Sequence, residues 1–428
     1  MKDHETKAHE WLTNNKDELI ELAQDLIKIP SVTGNEITCQ RFLVQKLEKM
    51  GLTPNLVYPS IKDLRSHEDF FETTSFVKFG YEDRPNVTSV IKGTGDGPSL
   101  CLSGHIDVVS PEPVNQWTRK PFGGEVEGNL LYGRGAGDMK GGLAAMVFAT
   151  RAIIETETKL KGDLFLESTI EEEDGGVGGV LSLRMTEPKY DAAIIPEPLD
   201  HCIGIASAGV MYFRIKVIGR PAHASTAHYG VNAITKSVPI IQALEELHQS
   251  RQNTISYPYA EQDETMKGRA TTINIGIVQS GDWPSTVPGE CTLECRIGWP
   301  PGETRTEVRS QVENAINNAI KSDVWLTKNP PIIEWFGWNA RPHEMDIRHP
   351  FTQLVVEENY KATKSDPIFL GGAAGLDARY FVHQGIPAIT YGPRAERIHS
   401  FDECVDIESM ITVAEVMIGV IQKHCKTA

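Results

Sequence analysis

The chain has 428 residues, 42 basic and 58 acidic, for a formal net charge of -16, and 40% of it is hydrophobic. A single core stops growing beyond roughly 250 to 300 residues, so two domains are expected, and the negative balance excludes a nucleic-acid footprint or an anionic membrane surface as the expected partner. Seven cysteines, an odd number without paired close spacing, argue against a disulfide framework and for a reducing compartment.

In chain order, Met1 to Lys7 is polar, and neither an apolar signal core nor a run able to span a bilayer follows; a cytoplasmic protein is expected. Apolar residues recur at helical spacing from Lys16 to Ile29, and Pro30 ends that helix by pushing the residue before it out of the α region. The polar stretch Asp63 to Arg84 reads as a surface excursion. A short apolar run, Pro98 to Leu102, leads to Ser103-Gly104-His105, and Met139 to Glu155 reads as a helix with small residues on its packing face. Further strands are predicted at Asp163 to Ile170, Asp191 to Ile195 and Ala388 to Tyr391. This alternation predicts an α/β fold with a doubly wound, mostly parallel sheet.

The rhythm changes between Gly209 and Trp338. Strands at Val210 to Gly219, Thr271 to Gly281, Glu290 to Gly298 and Pro331 to Trp338 are interleaved with helices at Val231 to Arg251 and Thr304 to Ser322. The order β-α-β-β-α-β predicts an inserted, ferredoxin-like open sandwich. The predicted domains are therefore a discontinuous catalytic domain, 1–208 and 339–428, and an inserted domain, 209–338. Cys291 and Cys295 fall in one of its strands, with no second pair to make a zinc knuckle.

In an open parallel sheet, ligands sit outside the carboxyl ends of the strands. His105, Glu172, Glu173, Glu197 and His399 each follow a predicted strand there, and Asp138 joins them from the start of a helix. Two imidazoles and several carboxylates suit Zn²⁺, Co²⁺ or Mn²⁺, one or two ions per subunit. Taken singly, each piece has an ordinary reading: a hydrogen-bonded histidine, a solvated acidic loop, and a Gly133-x-Gly-x-Gly run that fails the dinucleotide register at Asp138. Their conjunction at strand ends points to a two-metal hydrolase site.

Three motifs carry a resemblance: Gly104-His105-Ile106-Asp107-Val108-Val109, Tyr132-Gly133-Arg134-Gly135 through Asp138-Met139-Lys140-Gly141-Gly142, and a Glu-Glu pair before a glycine turn. With them the chain resembles the M20 family of metallopeptidases and deacylases over nearly its whole length. Gly281-Asp282-Trp283-Pro284-Ser285-Thr286-Val287-Pro288 is similar to a motif of the YodQ-like deacylases in that family. The resemblance implies that Asp138 bridges two metals, with His105 and Glu197 on one and Glu173 and His399 on the other. It implies that Asp107 orients His105 and that Glu172 is the general base, the Glu172-Glu173 register resting on the following Asp174-Gly175-Gly176. It implies further that His223, in Pro221-Ala222-His223-Ala224-Ser225, reaches a catalytic cleft, often the partner subunit's, and stabilises an oxyanion.

The inserted domain is thereby read as a lid that also builds a homodimer. Arg341 is a candidate carboxylate clamp, and Gly371-Gly372 resembles a close backbone approach to a small-molecule substrate; Trp335, Phe336 and Trp338 read as lid core, with an aromatic pocket as the alternative. Where relatives often carry Asn-x-Val-Pro and Asp-x-Arg, this chain has Ser285-Thr286-Val287-Pro288 and Glu294-Cys295-Arg296. The implied activity is hydrolysis of an amide C–N bond in a small N-acyl amino compound or peptide. Two alternatives stand beside it: an aminohydrolase releasing ammonia from an aromatic or activated amine on the same site, and a non-catalytic binding protein on the same fold.

Overall fold

The structure, a computed structural model, describes every residue except Met1, Glu187, Pro188, Thr265 and Ala373. The chain forms two compact units, one of residues 1–205, 344–370 and 376–428, the other of residues 206–343 and 371–375.

The first unit is built on a sheet whose spatial order begins Asn55–Val57, Asn86–Ile91, Leu164–Thr169, Leu100–His105, Ala192–Ile195, Ala388–Thr390, Ile203–Ser207. From Leu164–Thr169 to Ala388–Thr390 neighbours run parallel, and the flanking pairs are antiparallel. Leu100–His105 is buried at every residue, the continuous apolar habit of a strand covered on both faces. The helix Lys16–Lys28 buries Leu19, Leu22, Ala23, Leu26 and Ile27, one stripe at spacings of three and four. It stops two residues before Pro30. Gly142–Glu155, buried on nearly all sides, packs against Ile407–His424 and the two N-terminal helices.

Two expectations are corrected here. Regular α-helix begins at Gly142 and not at Met139, because Asp138 and Met139 have non-helical dihedrals. The stretch Asp63 to Arg84 is more than a surface excursion. It carries short helices at Ile61–Leu64 and Thr74–Phe79, and it buries Leu64, Asp69, Phe71, Thr73, Ser75, Tyr81 and Arg84. Its polarity was misleading because those polar groups face one another inside the protein.

The second unit holds a four-stranded antiparallel sheet in the order Thr272–Ser280, Glu290–Trp299, Gly209–Ile218, Ile332–Ala340, with helices Ala233–Thr254 and Arg305–Ala319. Alternation sets its faces: Met211, Phe213, Ile215 and Val217 point into a core with Trp299, Cys291 and Cys295. On the other face Arg214 pairs across the strands with Glu294 (2.8 Å) and Glu334 (3.0 Å). Thr304 and Glu307 form a reciprocal capping box at the start of Arg305–Ala319. Residues 371–375 join this unit because Gly371 lies on the backbone of Ala206, and the Ala208 amide donates to the Ala374 carbonyl (2.7 Å). All seven cysteines are free thiols, and no helix among the described residues is long and apolar enough to cross a membrane.

Candidate metal centre

The order of the parallel strands reverses at Leu100–His105, with Leu164–Thr169 on one side and Ala192–Ile195 then Ala388–Thr390 on the other. A crevice opens outside the carboxyl ends of strands at such a point, and His105 is the last residue of this strand. Its ring is 1% exposed, with Nδ1 at 2.9 Å from the Asp107 carbonyl oxygen. That bond gives Nδ1 the proton and turns Nε2 toward Asp138 Oδ1 (3.0 Å) and Glu197 Oε1 (3.6 Å).

Asp138 is presented by a glycine loop threaded on one buried carboxylate. Glu403 accepts hydrogen bonds from the amides of Gly135 (3.1 Å), Gly137 (2.9 Å) and Asp138 (3.0 Å), and from the Arg134 guanidinium (2.5 Å). Gly135 has φ 81°, and a Cβ there would lie 2.4 Å from Val108 Cγ1, so the loop can close only on glycine. Buried Lys140 donates to the carbonyls of Leu26 and Ile29 (2.8 Å each), tying the loop to the C-terminal end of Lys16–Lys28. After the loop, Gly142 lets the helix approach the Glu197 segment: a Cβ would sit 1.9 Å from the Pro196 carbonyl oxygen.

The acidic run Glu171 to Asp174 splits its side chains. Glu171, with φ 65°, turns its carboxylate away into donors from Thr73, Ser75, Tyr81, Arg84 and the Gly178 amide. Glu172 and Glu173 face the centre, and their amides donate to Asp107 Oδ1 (3.1 Å) and Oδ2 (3.3 Å). Asp107 also accepts from Thr33 Oγ1 (2.9 Å), so one buried carboxylate fixes both the segment after His105 and the glutamate turn. His399, with φ 59°, brings Nε2 to Glu173 Oε2 (2.9 Å) and Asp138 Oδ2 (3.3 Å). Its loop is anchored by Asp402, which accepts from the Thr118 amide and hydroxyl (2.9 and 2.8 Å).

Asp138 therefore gives one oxygen to each imidazole. Donor atoms of His105, Asp138 and Glu173, and of His105, Glu172 and Glu197, lie in each case within 4.8 Å of one another. Glu173 Oε1 and Glu197 Oε1 are buried without a hydrogen-bond partner, an expensive condition for carboxylate oxygens. Carboxylates and imidazole nitrogens gathered in this way fit borderline divalent ions.

Electrostatics agree. Burial, then the neighbouring Glu197, push Glu172 well above the usual carboxylate range, and burial raises Glu197 to about 7 against the pull of His105. Burial likewise lifts Asp107 to about 8. Against burial, the imidazoles of His105 and His399 hold Asp138 well below the usual range. Hydrogen bonds to Asp138 and Glu173 lift His399 to about 10.

His105, Asp107, Asp138, Glu172, Glu173, Glu197 and His399 are thus brought together. His223, Arg341, Gly371 and Gly372 belong to the second unit. His223 is exposed and pairs in a two-residue ladder with Thr286, its Nδ1 at 2.7 Å from Ser225 Oγ. Arg341 is half-buried just beyond Ile332–Ala340. Ala206 and Tyr257 pack beside Gly371 and Gly372, at 2.6 and 2.8 Å from where Cβ atoms would stand. Sequence reasoning assigned no role to Glu403 or Thr33. Glu403 had a signal, four residues after His399. Asp377 is buried with Oδ1 unpartnered, raised to about 6 by burial, and packs on Gly176 at the end of the glutamate turn.

The sequence profile of peptidase family M20/M25/M40 matches residues 101–423, and the chain belongs to this family, as a hydrolase acting on C–N bonds. The N-formyl-4-amino-5-aminomethyl-2-methylpyrimidine deformylase of Bacillus subtilis is 30% identical over 367 residues, 81% of this chain and 84% of that protein. Among solved structures, a tripeptidase from Staphylococcus aureus superposes with TM-score 0.73 at 22% identity, covering 96% of this chain and 99% of its own. A dinuclear metal-binding M20 peptidase from Bacillus subtilis superposes with TM-score 0.65 at 16% identity, covering 97% and 100%.

Proposed function

We propose that the protein is a divalent-metal hydrolase that cleaves the amide bond of a small N-acyl or N-formyl amine, with Glu172 as general base. The observation that carries this reading is the Asp138 carboxylate divided between His105 (3.0 Å) and His399 (3.3 Å). His105 and Glu197 would hold one ion, His399 and Glu173 the other, and Asp138 both. When bound, such ions supply Lewis-acid polarisation of the scissile carbonyl and of the attacking water. Glu172 takes the proton from that water and returns it to the leaving nitrogen; an elevated pKa suits a group that must both accept and release a proton near neutrality. Asp107 holds the backbone of Glu172 and Glu173 against His105 so that base and ligands keep one geometry.

His223 is proposed as oxyanion donor and Arg341 as carboxylate clamp, both supplied by the second unit, and assembly as a homodimer completes the reading. The substrate class is supported by the deformylase relative. The test is turnover of N-formyl and N-acetyl amines, N-acyl amino acids and dipeptides by metal-stripped protein given Zn²⁺, Co²⁺ or Mn²⁺. Release of a carboxylic acid with an equal amount of free amine is expected. Ammonia from an arylamine without a carboxylic acid would replace this reading with the aminohydrolase, and no turnover by metal-loaded protein on any of these would favour a binding protein.

A further inference from the structure

We propose that Thr73–Arg84 is a strap that aims the general base, with Ser75, Tyr81 and Arg84 as positioning residues acting through Glu171; this rests on Glu172 being the base. Glu171 has a left-handed backbone, φ 65°, which L residues rarely adopt, immediately before Glu172. What holds it there is its own carboxylate. Oε1 accepts from Thr73 Oγ1 (2.6 Å), Ser75 Oγ (2.5 Å) and Arg84 Nη1 (3.3 Å), and Oε2 accepts from the Tyr81 hydroxyl (2.8 Å) and the Gly178 amide (2.7 Å). Gly178 makes room for that grip, since a Cβ would meet Tyr81 Cε1 at 2.4 Å.

The strap also reaches the far end of the turn, where the Ser75 amide donates to Asp174 Oδ2 (2.6 Å). Arg84 extends it to the N-terminal side through a fork on Glu36 (2.9 and 2.7 Å), whose Oε1 accepts from the Gly34 amide (2.8 Å). Adjacent Thr33 donates to Asp107, which holds the amides of Glu172 and Glu173. On the opposite flank Arg379 Nη2 (2.6 Å) and the Tyr380 hydroxyl (2.8 Å) close on the Gly175 carbonyl. The turn carrying Glu172 is thereby gripped before, behind and beneath.

A buried Glu–Arg–Glu set is poor value as stability, because desolvation offsets the attraction. What such a set supplies is a fixed geometry, and a displacement of about 1 Å at a reacting group can cost about 100-fold in rate. Tyr81→Phe and Ser75→Ala each remove one donor to Glu171 and leave the buried charges paired. With any amide that the wild-type protein hydrolyses, kcat is expected to fall about 10- to 100-fold in each, with KM and bound metal within about twofold of wild type. In a Glu172→Gln background the same substitutions are expected to cost nothing further, since residues acting as one unit are not additive.

Wild-type kcat in both variants would overturn the proposal. So would an equal fractional loss with Glu172 present or replaced, which would show a general structural role. Wild-type kcat in Glu172→Gln alone would instead remove the base assignment beneath it, a result distinguishable from either.

Discussion

Asp138 and Glu172 differ in what their loss removes. Asp138→Ala takes a ligand atom from both halves of the centre and is expected to abolish metal retention together with activity, read by elemental analysis after gel filtration. Glu172→Gln keeps every proposed ligand and is expected to retain metal while kcat falls about 10²- to 10⁴-fold; full activity would place the base elsewhere. Glu171 is a poor substitute, since its carboxylate is saturated by Thr73, Ser75, Tyr81 and Arg84. A pH dependence follows from His399. In the metal-free protein its hydrogen bonds to Asp138 and Glu173 raise it from 6.5 to about 10. Its protonated form thus stabilises the metal-free fold fully below about pH 6.5, and that contribution is lost as pH rises through about 10. If His399 is a ligand as proposed, metal must displace this proton, and apparent Zn²⁺ affinity is expected to rise with pH across that window. Calorimetry in buffers of different ionisation enthalpy should show proton release on loading; none would mean that His399 binds no metal.

At the scale of elements, the close approach of Gly142–Glu155 to the Glu197 segment is purely steric, because Gly142 has ordinary helical dihedrals (φ -64°). Gly142→Ala would place a methyl 1.9 Å from the Pro196 carbonyl oxygen and force helix and ligand segment apart. A loss of about 1–3 kcal/mol is expected, with reduced metal occupancy, measured by urea unfolding with and without Zn²⁺. An unchanged midpoint would show that the contact relaxes freely. Most such elements were legible in the sequence: period 3.6 marked Lys16–Lys28, and alternation marked the strand observed at Gly209–Ile218. The failures lay where side chains override pattern, as at Asp138 and Met139, whose loop follows Glu403 and not the helical period.

For the whole molecule, assembly is the open quantity. Thr272–Ser280 is an edge strand with Ile277 and Val278 exposed at 46% and 57%, a surface that isolated proteins usually protect. A C₂ homodimer is expected by sedimentation, and Val278→Lys is expected to weaken it; a monomer with full activity would contradict the pairing. If His223 serves the partner's centre, mixing Glu172→Gln with His223→Ala protein should restore part of the activity through mixed dimers. No recovery despite proven subunit exchange would confine His223 to its own subunit.

Element periods and motif order by themselves made legible the α/β fold class, the family and the candidate ligands that the fold gathers around Asp138, because ligand types at strand ends are written locally in the chain. The physical cause that turns Glu171 away from Glu172 and Glu173 lies only in the tertiary structure, since the donors that draw it away lie up to 98 positions distant, at Thr73. The same holds for Glu403, whose partners Gly137 and Gly135 are 266 and 268 positions away, and for the polar stretch Asp63 to Arg84. A buried polar residue and a solvated one look alike in sequence; they differ only in whether the fold brings a partner to them.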